Sequence, residues 1–207
     1  MPQYDYIYFG DNARTPYGSR SFEVVYQYTL ECVKRLFDED CQLVILACNT
    51  ASAKALRTIQ QNDLPFLAPN RRVLGVIRPT VEAIGEITKT RCVGLVATEG
   101  TIQSNSYPLE VAKLFSDIEV VGQACPMWVP LIESNEHHTP GADYFVHKYI
   151  DSLFAKSKNI DTLILGCTHY PLLLNQIKNT HMKKQKNYSL NQLKNFHKIS
   201  KIKLMKY

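Results

Sequence analysis

The sequence predicts an α/β protein with mainly parallel sheets flanked by helices. Short apolar runs typical of buried strands alternate along the chain with longer segments that have the periodicity of helices. This alternation is typical of parallel sheets, because parallel strands need long, usually helical, crossover connections. In addition, an apolar run that ends in cysteine occurs twice. Ligands of parallel sheets bind beyond the carboxyl ends of the strands, so we expect functional residues there.

The predicted strands are short and mostly apolar, and they lie at 6–9, 43–47, 73–77, 93–97, 120–124 and 162–165. The predicted helices have apolar residues three or four positions apart, and they lie at 21–37, 50–61, 80–88, 107–115 and 142–155.

An internal similarity suggests two related halves. The run LVILACNT at 43–50 resembles LILGCTH at 163–169, and the two cysteines are 119 positions apart. We predict two similar α/β domains, at 1–77 and 78–177, with the active site in the cleft between them. The boundary lies where an apolar strand runs into Pro79. The repeated pattern is short, so chance repetition is the alternative.

The net charge of +5 is unevenly distributed. Residues 178–207 contain nine Lys and no Asp, Glu or Arg, whereas residues 1–177 carry 15 basic and 19 acidic side chains, a net charge of −4. The basic character therefore belongs to a divergent tail at 178–207, and such a tail is more often a solvated chain end than a nucleic-acid site. We expect no nucleic-acid partner.

Membrane insertion and export are not expected. The longest apolar stretches, such as 43–48, are far shorter than the roughly 20 residues that span a bilayer. The first residues, MPQYDYIYFGDN, carry acids where a secretory signal has a basic start. We therefore expect a cytoplasmic protein in a reducing compartment, without disulfides. The six cysteines contain no C-x-x-C pair of the kind that binds zinc.

Two of the six cysteines have a setting suited to chemistry. Cys48 follows a predicted strand directly and precedes an Ala-rich helix that Asn49 or Thr50 can cap. A thiol at the start of a helix lies near unpaired N–H groups and the positive end of the dipole, which favours the thiolate. Cys167 has a similar setting, followed by Thr168 and His169. We interpret the others, Cys32, Cys41, Cys92 and Cys125, as packing residues.

Three kinds of site are compatible with the two thiols. Cys48, Cys167 and His169 are too few and too widely spaced for a typical metal site, so we expect no metal. A hydrolase that pairs a cysteine with His169 leaves the second cysteine turn unexplained. Two opposed thiols explain both copies, because one can remove a proton from carbon while the other delivers a proton to the opposite face. Inversion of a stereocentre needs a proton removed from one face and delivered to the other, and such a pair provides both.

Five motifs in order along residues 3–177 resemble the glutamate racemases of the aspartate/glutamate racemase family. These motifs are GDNARTPYG at 10–18, ACNTAS at 47–52, TEGT at 98–101, PLIE at 130–133 and GCTHYP at 166–171.

The resemblance implies a racemase that interconverts L- and D-glutamate without a cofactor, and specifically without pyridoxal phosphate, to supply peptidoglycan synthesis. It implies that Cys48 and Cys167 are the catalytic thiols and that Glu133 and His169 are auxiliary groups. The implied substrate-binding residues are Tyr17, Gly18, Asn49, Thr50, Thr168 and His169, with Thr101 as a further candidate. The implied partners are glutamate and a second copy of the chain in a homodimer. Aspartate is the alternative substrate.

The sequence departs from the family at both ends. Glutamate racemases begin with an apolar strand and an Asp-Ser-Gly segment that belongs to the active site, and the resemblance here starts downstream of that segment. From Lys178 the Lys- and Asn-rich tail has no counterpart in the family. We therefore keep an alternative, a truncated and catalytically impaired racemase that binds an acidic amino acid or pairs with another subunit without turnover.

Overall fold

The computed structural model describes residues 3–184, with the side chains of residues 3–180, and contains two parallel sheets. In the first sheet β1 (Leu43–Leu46) pairs with β2 (Arg72–Gly75). In the second sheet β3 (Cys92–Ala97) lies between β4 (Glu119–Ala124) and β5 (Thr162–Gly166). Helices connect the strands, as parallel pairing requires. The predicted fold class is therefore confirmed.

Helices surround both sheets. Those of the first half are α1 (Phe22–Asp38), α2 (Asn49–Lys54), α3 (Leu56–Thr58) and α4 (Leu64–Leu67), with a π-helical turn at Ile59–Asp63 between the last two. Those of the second half are α5 (Ile77–Ile87), α6 (Glu99–Gln103), α7 (Ser106–Leu114), α8 (Trp128–Glu133), α9 (Pro140–Lys156) and α10 (Leu174–Lys184). Short 3₁₀ turns lie at Asn12–Arg14 and Tyr170–Leu173.

The strand predicted at 6–9 is wrong. These residues have no strand partner in the described part of the chain, and the side chains of Tyr6 and Tyr8 are exposed. An apolar run forms a strand only where a neighbouring strand can accept its backbone hydrogen bonds. The other five predicted strands are present with small shifts of their ends. The apolar run at 73–77 divides, because β2 ends at Gly75 and α5 begins at Ile77.

The helix predicted at 50–61 is interrupted after Lys54, where the chain continues as α3 and the π-helical turn. The short helices α4, α6 and α8 were not predicted, whereas Pro171, expected in the first turn of a helix after Cys167, lies in the 3₁₀ turn at Tyr170–Leu173.

The two sheets differ in how they are covered. All six residues of the central strand β3 are buried. In the first sheet, Val44 and Val73 are buried against α1 and α2, whereas Ile45 and Leu74 on the opposite face are exposed. The second sheet is therefore covered on both faces and the first on one.

The domain boundary predicted at residue 77 stays a prediction. Helix α5 begins there, and its residues Ile77, Val81 and Ile84 pack with β3 rather than with the first sheet. Of the predicted basic tail at 178–207, residues 178–184 belong to α10, and residues 185–207 lie outside the described residues. Within residues 3–184 we find no helix of the length and apolar character that a bilayer span requires.

Asp161 ties the start of β5 to the loop before β3. Its carboxylate accepts hydrogen bonds from the backbone N–H groups of Lys89 (2.7 Å) and Thr90 (2.8 Å) and from the hydroxyls of Thr88 (2.8 Å) and Thr162 (2.9 Å). Burial alone would raise the pKa of Asp161, but these hydrogen bonds outweigh burial and hold the pKa below its usual range.

We expect Asp161→Asn to lower the free energy of unfolding at pH 7 by about 1–2 kcal/mol, because an amide nitrogen would face N–H donors. The lowered pKa makes this contribution complete above the unfolded value of about 3.9, and it is lost as the pH falls through the lower folded value. Urea unfolding from pH 7 to pH 3 tests this, with exposed Asp38→Asn as the control. A difference between Asp161→Asn and wild type that does not shrink below about pH 4 would contradict it.

Candidate active site

Cys48 lies at the junction of β1 and α2. It is the N-cap residue of α2, with extended backbone, and its Sγ accepts a hydrogen bond from the backbone N–H of Ala51 at 3.5 Å. The thiol is half-buried, and the two residues that follow, Asn49 and Thr50, are buried. The structure thus places Cys48 at the helix start, as predicted, but the N-cap residue is Cys48 itself and not Asn49 or Thr50.

Cys167 lies directly after β5 and is 7% exposed. Its Sγ is 3.7 Å from Nδ1 of His169, so the imidazole faces the thiol. On its other side, Nε2 of His169 makes a hydrogen bond with Oε1 of Glu133, the last residue of α8. Cys167, His169 and Glu133 therefore form a hydrogen-bonded chain from the buried thiol to an exposed carboxylate.

Tyr107 of α7 joins the surroundings of the two cysteines. Its hydroxyl donates to Oδ1 of Asn49, the residue after Cys48, at 2.8 Å. Burial raises the pKa of Tyr107, a hydrogen bond with Thr80 opposes the shift, and the nearby thiol of Cys167 adds to it. The same phenol is therefore close to the turn after Cys48 and to Cys167. The hydrogen bond to Asn49 joins α7 of the second half to the turn after Cys48.

A chain of three buried threonine hydroxyls makes a second connection between the halves. Thr50 Oγ1 lies 3.0 Å from Thr98 Oγ1, which in turn lies 3.1 Å from Thr101 Oγ1. Thr98 is also the N-cap residue of α6. Thr101, which the sequence suggests as a substrate contact, thus points its hydroxyl at Thr98. Thr50 and Asn49 are each held by a side chain of the second half.

The segment that contains Tyr17 and Gly18 is held from two sides. The carbonyl of Gly18 accepts a hydrogen bond from the backbone N–H of Gly100 at 3.0 Å. A Cβ on Gly18 would lie 2.9 Å from the side chain of Thr98, so the close approach requires glycine. Two residues later, the carbonyl of Arg20 accepts a hydrogen bond from Nζ of the buried Lys54 of α2.

The phenol of Tyr17 is engaged within its own segment. Its hydroxyl donates to the carboxylate of Asp11, which is also paired with Arg14. Burial and this hydrogen bond raise the pKa of Tyr17 well above its usual range. A substrate contact from this segment would therefore come from the backbone of Tyr17 and Gly18. Thr168, the remaining predicted contact, is half-buried beside Cys167.

The other four cysteines are core or helix residues, and one of them, Cys125, adjoins the turn at Cys167, because its carbonyl accepts a hydrogen bond from the hydroxyl of Tyr170 at 3.2 Å. Cys92 and Cys125 are buried in the core of the second half, and burial raises the pKa of both thiols. Cys32 lies in α1, with its Sγ 4.0 Å from a carboxylate oxygen of Asp11. Cys41 packs against the core of the first half, around β1 and β2. Within the described residues, no group of three or more His, Cys, Asp or Glu side chains is arranged to hold a metal ion.

Lys54, Thr98 and Tyr107 also belong to the candidate site, and none of the three was predicted from the sequence. Lys54 is a charged residue on an Ala-rich helix, which could have signalled an internal role. Thr98 lies in the quoted TEGT motif, but its hydrogen bond to Thr50 joins residues 48 positions apart. Tyr107 carries no comparable local signal.

This α/β fold, with a polar turn after one strand of each sheet, points to a class of protein, the α/β racemases whose motifs the sequence resembles. A family model confirms this class. Residues 1–185 match the Asp/Glu/Hydantoin racemase model, and the chain belongs to this family.

The curated relatives of this chain include glutamate racemases. The chain is 42% identical over 174 residues to the enzyme of Geobacter metallireducens, covering 84% of this chain and 61% of that one. It is 43% identical over 178 residues to the enzyme of Oceanobacillus iheyensis, covering 86% and 62%. The chain thus spans about six tenths of the length of these relatives.

Solved structures of glutamate racemases have the same fold. A glutamate racemase isoform from Bacillus anthracis superposes with a TM-score of 0.75 at 38% identity, covering 83% of this chain and 61% of that one. The enzyme from Francisella tularensis in complex with D-glutamate superposes with a TM-score of 0.77 at 35% identity, covering 86% and 64%. The resemblance to glutamate racemases is therefore confirmed.

We expect Lys54→Met to free the segment 17–20, because the substitution removes the donor to the carbonyl of Arg20 while keeping an apolar stem. Amide hydrogen exchange of residues 17–20 should become at least about tenfold faster, since loss of a buried charged hydrogen bond costs about 1.5–3 kcal/mol. Exposed Lys158→Met is the matched control. Equal exchange rates in both variants would show that Lys54 does not hold this segment.

Proposed function

We propose that this chain is a glutamate racemase that interconverts L- and D-glutamate with two thiols as acid and base. The observation that carries the proposal is that the turn after Cys48 is bonded to the half that contains Cys167, through Tyr107 to Asn49 and through Thr98 to Thr50. Names of relatives support the reaction, and a solved relative holds D-glutamate.

In one direction, the Cys48 thiolate removes the α-proton of the substrate and the C–H electron pair stays on the α-carbon. The Cys167 thiol then donates its proton to the opposite face, which forms the new C–H bond and inverts the centre. Cys48 ends as a thiol and Cys167 as a thiolate, which is the starting state for the reverse direction. The two thiols supply both proton transfers, so the proposed reaction uses no cofactor.

The negative charge that develops on the substrate needs preorganised donors in a site from which water is excluded. The side chains of Asn49, Thr50 and Thr168 lie at the two turns and are small enough to leave room for a ligand. The backbone of Tyr17 and Gly18 adds groups from a segment that Gly100 and Lys54 hold in place. We propose that these groups bind the carboxylates and the amino group of glutamate.

In this proposal His169 and Glu133 assist proton transfer by Cys167. The imidazole lies within reach of the Cys167 thiol and can accept or return its proton, and Glu133 fixes the orientation of the ring. The same line of three residues has the layout of a nucleophilic cysteine in a hydrolase. That reaction gives Cys48 no role, whereas racemisation uses both thiols.

The biological setting of the proposal is the supply of D-glutamate for peptidoglycan by a cytoplasmic enzyme, with a homodimer as its assembly. Glutamate rather than aspartate is proposed as the substrate because the relatives reported above carry that name.

We expect Cys48→Ser and Cys167→Ser each to lower the rate of glutamate interconversion at least about 100-fold, since each removes one proton-transfer group. Half-buried Cys41→Ser should leave the rate unchanged. Chiral chromatography measures the interconversion, and proton NMR in D₂O measures exchange of the α-proton. Wild-type chain that binds glutamate calorimetrically but exchanges no α-proton would identify a binding protein without turnover and would overturn the proposal.

We expect Glu133→Gln to lower kcat/KM about tenfold, because a neutral amide replaces the charged hydrogen-bond partner of His169. The decrease should be the same for L- and D-glutamate, since the equilibrium constant of racemisation is one. Circular dichroism of the reaction in each direction provides the rates, and exposed Glu136→Gln is the control. An unchanged kcat/KM in Glu133→Gln would remove Glu133 from the proposed mechanism.

A further inference from the structure

Tyr107 is a fully buried tyrosine whose hydroxyl serves a residue 58 positions away. A buried hydroxyl without a partner costs free energy, so a tyrosine at a fully buried position needs an acceptor. Here the acceptor is Oδ1 of Asn49, at 2.8 Å. Phenylalanine would fill the same space without requiring an acceptor. The hydroxyl therefore has a use beyond packing.

The direction of this hydrogen bond does not change with pH in the physiological range. Burial raises the pKa of Tyr107 far above neutrality, and Cys167 raises it further when that thiol carries a charge. Among the described residues, the phenol is bonded to Asn49 of α2 and Thr80 of α5, and Cys167 after β5 is near enough to act on its pKa. Tyr107 consequently remains a donor in both protonation states of Cys167.

A fixed donor orients the whole amide group of Asn49. The amide is planar, with an acceptor oxygen on one side and a donor NH₂ on the other, and a half-turn exchanges the two. Because the Tyr107 hydroxyl engages Oδ1, the NH₂ group is directed to the opposite side. The neighbouring Thr50 is held in the same way by Thr98, at 3.0 Å.

We propose that Tyr107 is a positioning residue that sets the orientation of the Asn49 amide and thereby presents its NH₂ group to a substrate carboxylate. This inference rests on the proposed function, in which Asn49 binds the substrate. It extends that function because Tyr107, a residue of the second half, then determines how Asn49, next to Cys48, contacts the substrate. Tyr107 does not itself touch the reacting atoms in this account.

The kinetic test is Tyr107→Phe, which keeps the ring and removes only the hydroxyl. We expect KM for both enantiomers to rise about tenfold, because the amide of Asn49 then samples both orientations, with a smaller change in kcat. The matched control is Tyr149→Phe. It removes the hydroxyl of another buried tyrosine, one whose hydrogen-bond partner is the backbone of Met127. It should leave KM unchanged. Urea unfolding of both variants separates the change in KM from a loss of folded protein.

The direct test uses the ligand-free protein labelled with ¹⁵N. The side-chain NH₂ signals of Asn49, assigned by their loss in Asn49→Ser, should shift or double in Tyr107→Phe and stay in place in Tyr149→Phe. This measurement needs no turnover, so it judges the role of Tyr107 even if wild-type chain proves inactive and the proposed function fails. Unmoved Asn49 signals, or an active Tyr107→Phe with unchanged KM, would overturn the inference.

Discussion

The need to satisfy buried polar groups on α2 determines how the two halves of the structure meet. Five of the six residues of this helix are buried, and four of those five are polar. Burial of such groups is unfavourable unless each has a hydrogen-bond partner. Most of the partners lie on other elements: Tyr107 for Asn49, Thr98 for Thr50, Leu46 and Val76 for Ser52, and Arg20 for Lys54. A helix with an apolar buried face could pack against many surfaces. Helix α2 can be buried only where its polar side chains find these hydrogen-bond partners. The turn after Cys48 is therefore fixed relative to the second half, as a site shared by two halves requires.

Much of the fold was predictable from the sequence because local pattern determines it. Strand β3 is a continuous apolar run, and such a run is buried wherever it lies in a parallel sheet. The strand predicted at 6–9 was wrong for a nonlocal reason. A strand needs a neighbouring strand as its hydrogen-bond partner, and the residues of the run itself do not show whether one is present. The hydrogen bond from Lys54 to the carbonyl of Arg20 is likewise nonlocal, because the two residues are 34 positions apart.

Most residues of the candidate site could be proposed from the sequence, but the hydrogen bonds between them could not. The cysteine turns follow from strand–helix patterning, and the resemblance adds Glu133 and His169. Whether His169 faces Cys167 depends on the side-chain direction at the start of the 3₁₀ turn at Tyr170–Leu173, which the two-residue spacing alone does not specify. The hydroxyl of Tyr17 is directed to Asp11, a pairing that the motif alone does not reveal. Tyr107 was missed because the residue it serves is 58 positions earlier in the chain.

The two thiols of the proposed reaction lie in different environments although their turns look alike in sequence. Cys48 is half-buried and receives a backbone hydrogen bond from Ala51, so a negative charge there is stabilised by fixed dipoles. Cys167 is nearly inaccessible but adjoins His169 and Glu133, so its proton can be exchanged along a chain that reaches solvent. Racemisation requires that kcat/KM be equal in the two directions, but it does not require equal kcat or equal KM. An enzyme with unlike thiols is therefore expected to bind and turn over the two enantiomers with different individual constants, and that difference originates in the unequal surroundings of Cys48 and Cys167.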